Sequence, residues 1–243
     1  MIVRDIMKTQ LVTIKPDDTL SHAAHLFRQY QFHHLPVIRA MPQQHTVSSD
    51  QRPRHIFQGL LTTEDVETAM TLAYPEVADN LSALPWQERR VAEIMHTPQV
   101  WVTPTTSVAA ASQLLVERGI NCLPVIEPEE VGTESQDLLV GLLTRSDILL
   151  ALARSLGGFE PGTQINIQLP AGRMAPLARA LLAADELHIA IGSVLAAPQE
   201  LHTPRSASLR LNTINPGPLL TRLRQEGILY LAGDSLLGDK HHA

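Results

Sequence analysis

The sequence predicts an α/β (α+β) protein made of two βαββα units that pack as a pair, followed by a C-terminal βαββαβ unit. Three observations carry this. Residues 3–38 recur at 91–126 with a constant offset of 88, which superimposes Val3, Ile6, Met7, Thr9, Val12, Pro16, Ala23, Leu26 and the run Leu35-Pro36-Val37-Ile38 on identical residues. Downstream the offset becomes 82: Gly59-Leu60-Leu61-Thr62 meets Gly141-Leu142-Leu143-Thr144, and Asp65 meets Asp147. Beyond the Gly/Pro-rich stretch "SLGGFEPGTQ" the pattern changes and does not repeat.

Within each copy the periodicity switches in one order. Val12 and Ile14 fit a short strand, and Leu20, Ala23, Ala24 and Phe27 fall at helical spacing after an Asp18-Thr19 start signal. Leu35 to Ile38 is a short apolar run beside a proline, His55 to Leu61 reads as a second strand, and a helix begins near Thr63. The stretches between the last two strands, polar and unequal in length, read as surface hairpin loops that tolerate insertion.

In the last third, Ile165, Ile167 and Leu169 alternate as a strand, and Met174, Leu177, Ala178, Leu181 and Leu182 mark a helical face. Leu187, Ile189 and Ile191 alternate next, then Ala207, Leu209 and Leu211 after a Pro-containing turn. Asn215 is placed to cap a helix before Pro216 and Pro218, with Leu219, Leu220 and Leu223 as its apolar face and Gly227 as its end. Ile228 to Leu231 closes the order β-α-β-β-α-β, the ferredoxin-like split unit. The boundaries read from this are a first unit over 1–75, a helical linker over 76–90, a second unit over 91–156, a Gly/Pro linker over 157–163, the last domain over 164–233 and a disordered tail over 234–243.

Composition narrows the function. At 243 residues, 44% hydrophobic and 18% charged, the chain supports several globular domains with their own cores. No apolar run approaches the roughly 20 residues that span a bilayer, and "MIVRDIMKTQ" lacks a signal-peptide pattern, so a cytoplasmic protein with no membrane partner is expected. Cys122 is the sole cysteine, which excludes an intrachain disulfide and a thiolate cluster; its apolar setting "INCLPVI" reads as buried. A net charge of -6 without a Lys/Arg run gives no nucleic-acid footprint.

The paired motif G-x-x-T-x-x-D carries two readings. Thr and Asp three residues apart ahead of an apolar helix form a capping box, in which the Thr oxygen accepts from the third backbone N–H and the Asp reaches back. A helix start also suits phosphate, through its free N–H groups and partial positive charge. The copies differ between Thr and Asp: Arg145-Ser146 adds a cationic donor where Thr63-Glu64 adds a repelling charge, so the second copy is expected to be the better anion site.

Together, "VRDIM" and "VAEIM", "HHLPVI" and "NCLPVI", and the two G-x-x-T-x-x-D ends resemble the CBS domain in its tandem form, the Bateman module, over roughly residues 1–155. That resemblance implies a regulatory module that binds AMP, ADP, ATP or S-adenosylmethionine, with Thr near phosphate and Asp on the ribose: Thr62 with Asp65, and Thr144 with Asp147. It places adenine against Thr13-Ile14-Lys15 and His34-Leu35-Pro36 in one unit, and against Trp101-Val102-Thr103 and Cys122-Leu123-Pro124 in the other. The last unit resembles an ACT domain, although "LPAGRMAPL" departs from that family's Asp-x-Pro-Gly start, and the whole is similar to acetoin-utilisation CBS-ACT proteins. These resemblances imply a homodimer, a further protein partner and a link to acetoin or butanediol catabolism.

No P-loop, dinucleotide glycine fingerprint, nucleophile elbow or HExxH occurs, so no enzyme and no obligatory cofactor are expected. His22 and His25 share a helical face without a third metal ligand, His33-His34 are placed to line the first pocket, and His241-His242 fall in the tail. Two other classes stand beside the ligand sensor: a ligand-independent dimerisation and docking module, and a cryptic enzyme acting on a nucleotide.

Overall fold

The computed structural model describes residues 1–40, 55–72, 85–131, 134–196 and 205–232. The expected loop at 41–54, most of the linker, the turn before Ala207 and the tail with His241 and His242 lie outside them. Two compact units result, one running to Ile148 and the other starting at Leu149.

The elements of the repeats are α1 (Leu20–Tyr30), β1 (His34–Ala40), β2 (His55–Thr62) and α2 (Thr63–Leu72), then α3 (Val108–Glu117), β3 (Cys122–Val131), β4 (Glu134–Thr144) and α4 (Arg145–Ser155). Thr19 Oγ1 accepts from His22 N–H at 3.3 Å and Ser107 Oγ from Ala110 N–H at 3.1 Å, so both first helices start on hydroxyl caps. They end on left-handed residues at equivalent positions, Gln31 (φ 55°) and Gly119 (φ 64°).

One antiparallel sheet runs β1-β2-β4-β3. Its hairpins share a register, His34 opposite Thr62 and Cys122 opposite Thr144, with the same irregularity after Val37 and after Val125. The expected strand at Val12 and Ile14 is a single parallel bridge from Ile14 to Val37, matched by Val102 to Val125. Pro16 and Pro104 follow two residues later, and a residue without an N–H cannot continue a ladder.

The starts of the two repeats are exchanged. Val3 is fully buried with Val102, Ala111, Leu115, Leu123, Val125 and Leu143 of the second repeat, while Val91 is fully buried with Ile14, Leu20, Ala23, Phe27 and Leu61 of the first. Backbone bonds fix the crossing: Val3 N–H donates to Thr106 O, Val91 N–H donates to Asp18 O, Lys8 pairs with Leu142, and His96 pairs with Leu60. "VRDIM" therefore completes the core of the other copy. Burying each valine contributes about 1.5–3 kcal/mol to the core that receives it.

The glycine of each G-x-x-T motif makes the crossing close. A Cβ at Gly141 would lie 2.8 Å from Met7 Sδ and 3.0 Å from Lys8 O, and one at Gly59 would lie 2.8 Å from His96 O.

The second unit contains β5 (Thr163–Gln168), α5 (Ala175–Glu186), β6 (Ile191–Leu195), β7 (Ser206–Leu211), α6 (Gly217–Gln225) and β8 (Tyr230–Ala232), with sheet order β6-β7-β5-β8 and antiparallel pairs throughout. Ile165, Ile167, Ala207, Leu209 and Leu211 face its core, as their alternation predicts, and Asn215 Oδ1 accepts from Gly217 N–H at the start of α6. Two readings need correction. The buried stripe of α5 is Leu177, Ala180, Ala183 and Ala184, with Met174 and Leu182 exposed, because alanines let the helix lie close on the sheet. Leu187 and Ile189 belong to the turn that ends α5, where His188 is left-handed at φ 54°, so β6 begins only at Ile191.

Candidate functional site

Both T-x-x-D motifs straddle a strand end and a helix start, and each closes a capping box. Thr144 donates through its N–H (2.9 Å) and Oγ1 (2.6 Å) to Asp147 Oδ2, while Asp147 N–H donates to Thr144 Oγ1 at 3.2 Å. The first copy repeats this at 2.7, 2.7 and 3.1 Å between Thr62 and Asp65. One carboxylate oxygen is used by the cap in each case.

The exchange brings a nitrogen-bearing side chain from the opposite repeat to each carboxylate. Lys8 Nζ lies 3.4 Å from Asp147 Oδ1, and His96 Nδ1, at the position equivalent to Lys8, lies 3.4 Å from Asp65 Oδ2. Asp147 is the more enclosed carboxylate, its side chain 8% exposed against 26% for Asp65.

A cavity of about 450 Å³ opens beside the second motif. Its wall combines Lys8, Gln10, Val12, His33 and His34 of the first repeat with Cys122, Thr144 and Arg145 of the second. Across the crossing segment the side chains alternate, as an extended chain requires: Met7, Thr9 and Thr13 face a separate cavity of about 970 Å³ that contains neither Thr of the two motifs.

The cavity draws its wall from both repeats. Of the residues read as contacting a ligand, His34, Cys122, Thr144 and Arg145 meet in one cavity, drawn from both repeats. Ile14, Val102, Leu35 and Leu123 are core side chains at 2%, 3%, 0% and 0% exposure, and Pro36 and Pro124 are buried with them. Trp101 is exposed and walls neither cavity, Lys15 N–H and Thr103 N–H close turns onto Asp18 and Thr106, and Thr13 faces the larger cavity. Sequence alone missed Lys8 and His96; their equivalence under the offset was the available signal.

Arg145 also has a structural role. Nε donates to Ile120 O and Nη2 to Leu115 O, both at 2.9 Å, so the guanidinium ties the end of α3 to the start of α4 and two of its nitrogens are committed. His34 is held below the ordinary histidine value, first by burial and then by His33 and His96, with Asp65 opposing. Burial, reinforced by the Asp147 charge and opposed by Lys8, pushes the Cys122 thiol up to about 12. His22 and His25 are exposed, and among the described residues no cluster of three His, Cys, Asp or Glu could hold a metal.

Paired motifs, exchanged starts and a cleft shared by two copies agree with the comparison to known families, in which the model of the CBS domain matches residues 3–70 and 91–154. The chain belongs to the CBS domain family. A CBS domain-containing protein of Bacillus subtilis, YhcV, is 26% identical over 146 residues, 60% of this chain and 81% of that protein. Another from Dictyostelium discoideum is 27% identical over 163 residues, 66% of this chain and 97% of its own. Among solved structures, a Vibrio cholerae protein assigned to acetoin utilization (AcuB) is 24% identical with a TM-score of 0.46, covering 66% of this chain and 98% of that one. CBSX2, solved in complex with AMP, is 20% identical with a TM-score of 0.44, covering 63% and 96%. In the described residues of this CBS pair no helix is long and apolar enough to cross a membrane.

Proposed function

We propose that this protein is a non-catalytic regulator that binds an adenosine-containing ligand, AMP, ADP, ATP or S-adenosylmethionine, between its paired CBS units. One observation carries the reading: the 450 Å³ cavity is walled by both repeats and includes the Thr of a T-x-x-D motif beside a lysine. A ligand held there touches both copies and biases how they pack, to the extent that its affinity differs between the two arrangements. Thr144, Asp147 and Lys8 are the contacts we assign to it.

The βαββαβ unit serves in this reading as an ACT-like output or dimerisation domain, the protein works as a homodimer with a further protein partner, and the pathway carried by the resemblance is acetoin or butanediol catabolism. Thermal unfolding of nucleotide-stripped protein tests the ligand. Saturating AMP, ADP, ATP or S-adenosylmethionine should raise the midpoint, since a ligand at 100 times its Kd adds about 2.7 kcal/mol. Unchanged midpoints for all four would overturn the reading. Light scattering tests the dimer against the 26.7 kDa monomer.

A second reading has its own support: both Asp side chains are already engaged as helix caps without any ligand. On that basis the CBS pair is an assembly module that dimerises and docks a partner, and the four ligands leave its stability unchanged.

A further inference from the structure

The two carboxylates offer a ribose different things. At Asp147, Oδ2 is taken by Thr144 and Oδ1 by Lys8, so a sugar hydroxyl can reach the carboxylate only if the ammonium moves. Lys8 walls the cavity while Asp147 does not, which puts the lysine, its side chain 60% exposed, between solvent and an aspartate whose side chain is 8% exposed. At Asp65, His96 meets the same oxygen that Thr62 uses, and among the described residues nothing bonds Oδ1. That acceptor is ready without displacement.

We propose that Lys8 sets the ligand class: the Asp147 site requires a phosphate-bearing nucleoside, whereas the Asp65 site accepts one without phosphate. This rests on the adenosine-ligand reading above. A displaced ammonium needs a new anionic partner, and a 5′ phosphate in the cavity supplies one through a charge-assisted hydrogen bond; a neutral nucleoside supplies none. The other basic side chains on the wall substitute poorly, because Arg145 spends Nε and Nη2 on the Ile120 and Leu115 carbonyls and burial disfavours the charged form of His34. Beside the Asp65 site, Thr63 occupies the position of Arg145, and the neighbouring exposed Glu64, equivalent to Ser146, repels phosphate.

Calorimetric titration with adenosine and with AMP tests this on the full chain, in wild type, in Lys8→Met, in Asp147→Ala, and in Asp65→Ala, which leaves only the Asp147 site, with and without Lys8→Met. The Asp65→Ala protein should bind AMP at least tenfold more tightly than adenosine, and adding Lys8→Met should shrink that ratio about tenfold, the equivalent of 1.4 kcal/mol. Asp147→Ala, which leaves the Asp65 site, should bind adenosine at least as tightly as AMP. If AMP binds and Lys8→Met leaves the ratio unchanged, the role of Lys8 is wrong and the nucleotide site stands. Should neither compound bind wild type or Lys8→Met, this inference falls, while the four-ligand unfolding test decides the site reading separately. The single Lys8→Met variant changes one exposed side chain, so its ratio against wild type decides the matter even if the Asp variants fold poorly.

Discussion

Lys8 at the start of the first repeat pairs with Asp147 at the end of the second, Nζ to Oδ1 at 3.4 Å. The same crossing in the other direction joins His96 to Asp65. Each T-x-x-D carboxylate of the CBS pair is thus capped by its own repeat and paired with a side chain from the opposite one.

Removing the carboxylates should separate their structural weights. Asp147→Ala leaves the Thr144 N–H without its acceptor in the more enclosed site and should cost about 2 kcal/mol, whereas Asp65→Ala, at the more open site, should cost about 1 kcal/mol. Urea unfolding of the two variants measures this. A larger loss at Asp65 would show that burial does not rank the caps. Lys8→Ala should cost less than about 1 kcal/mol, because its ammonium is mostly in water.

The exchange predicts that damage appears in the other repeat. Val3→Ala should destabilise the core around Leu123 and Leu143 by about 2 kcal/mol, and Val91→Ala the core around Leu20 and Leu61 by a similar amount. Hydrogen exchange after Val3→Ala should accelerate in β3 and β4 before β1 and β2. Faster exchange in β1 and β2 instead would mean that the first repeat keeps its own start.

How much of this was legible follows from what a repeat can and cannot encode. The helices, hairpins and caps could be read because Thr19, Ser107 and the T-x-x-D motifs act on backbone within a few residues of themselves. The offset of 88 made Lys8 and His96 equivalent, but equivalence does not say which copy a segment touches: Val3 packed on its own repeat or on the other would give the same sequence. The cavity inherits that ambiguity: the sequence groups His34 with its neighbours Leu35 and Pro36, and only the fold brings it to the cavity with Thr144. The Arg145 bonds to Ile120 and Leu115 span 25 and 30 residues, and no local signal announces them.

Gln31 and Gly119 end equivalent helices in the left-handed conformation, at φ 55° and 64°. A residue with a Cβ costs roughly 1–2 kcal/mol there, a cost glycine avoids. Gln31→Gly should therefore raise stability by about 1 kcal/mol, and Gly119→Gln should lower it by a similar amount. Matching shifts in the urea midpoint, opposite in sign, are expected; a destabilised Gln31→Gly would mean that the glutamine side chain, which also lines the 450 Å³ cavity, contributes more than the left-handed backbone costs.

Cys122 should be chemically silent in the native state and should make stability fall at high pH. Disulfide exchange needs the thiolate, and with the thiol pushed up to about 12 almost none is present at pH 8, so a disulfide reagent should label Cys122 only as fast as the protein opens. The linkage sign follows from proton counts. Above the ordinary value of 9.0 the unfolded thiol has lost its proton while the folded one retains it, so the folded state binds more protons and stability declines as pH rises from 9.0 toward about 12. Cys122→Ala removes the titrating group and should flatten that decline between pH 8 and 10.5, measured by urea midpoint. Rapid stoichiometric labelling of the folded wild type, or an unaltered slope in Cys122→Ala, would place the thiol in contact with water and remove its burial beside Asp147 as the cause.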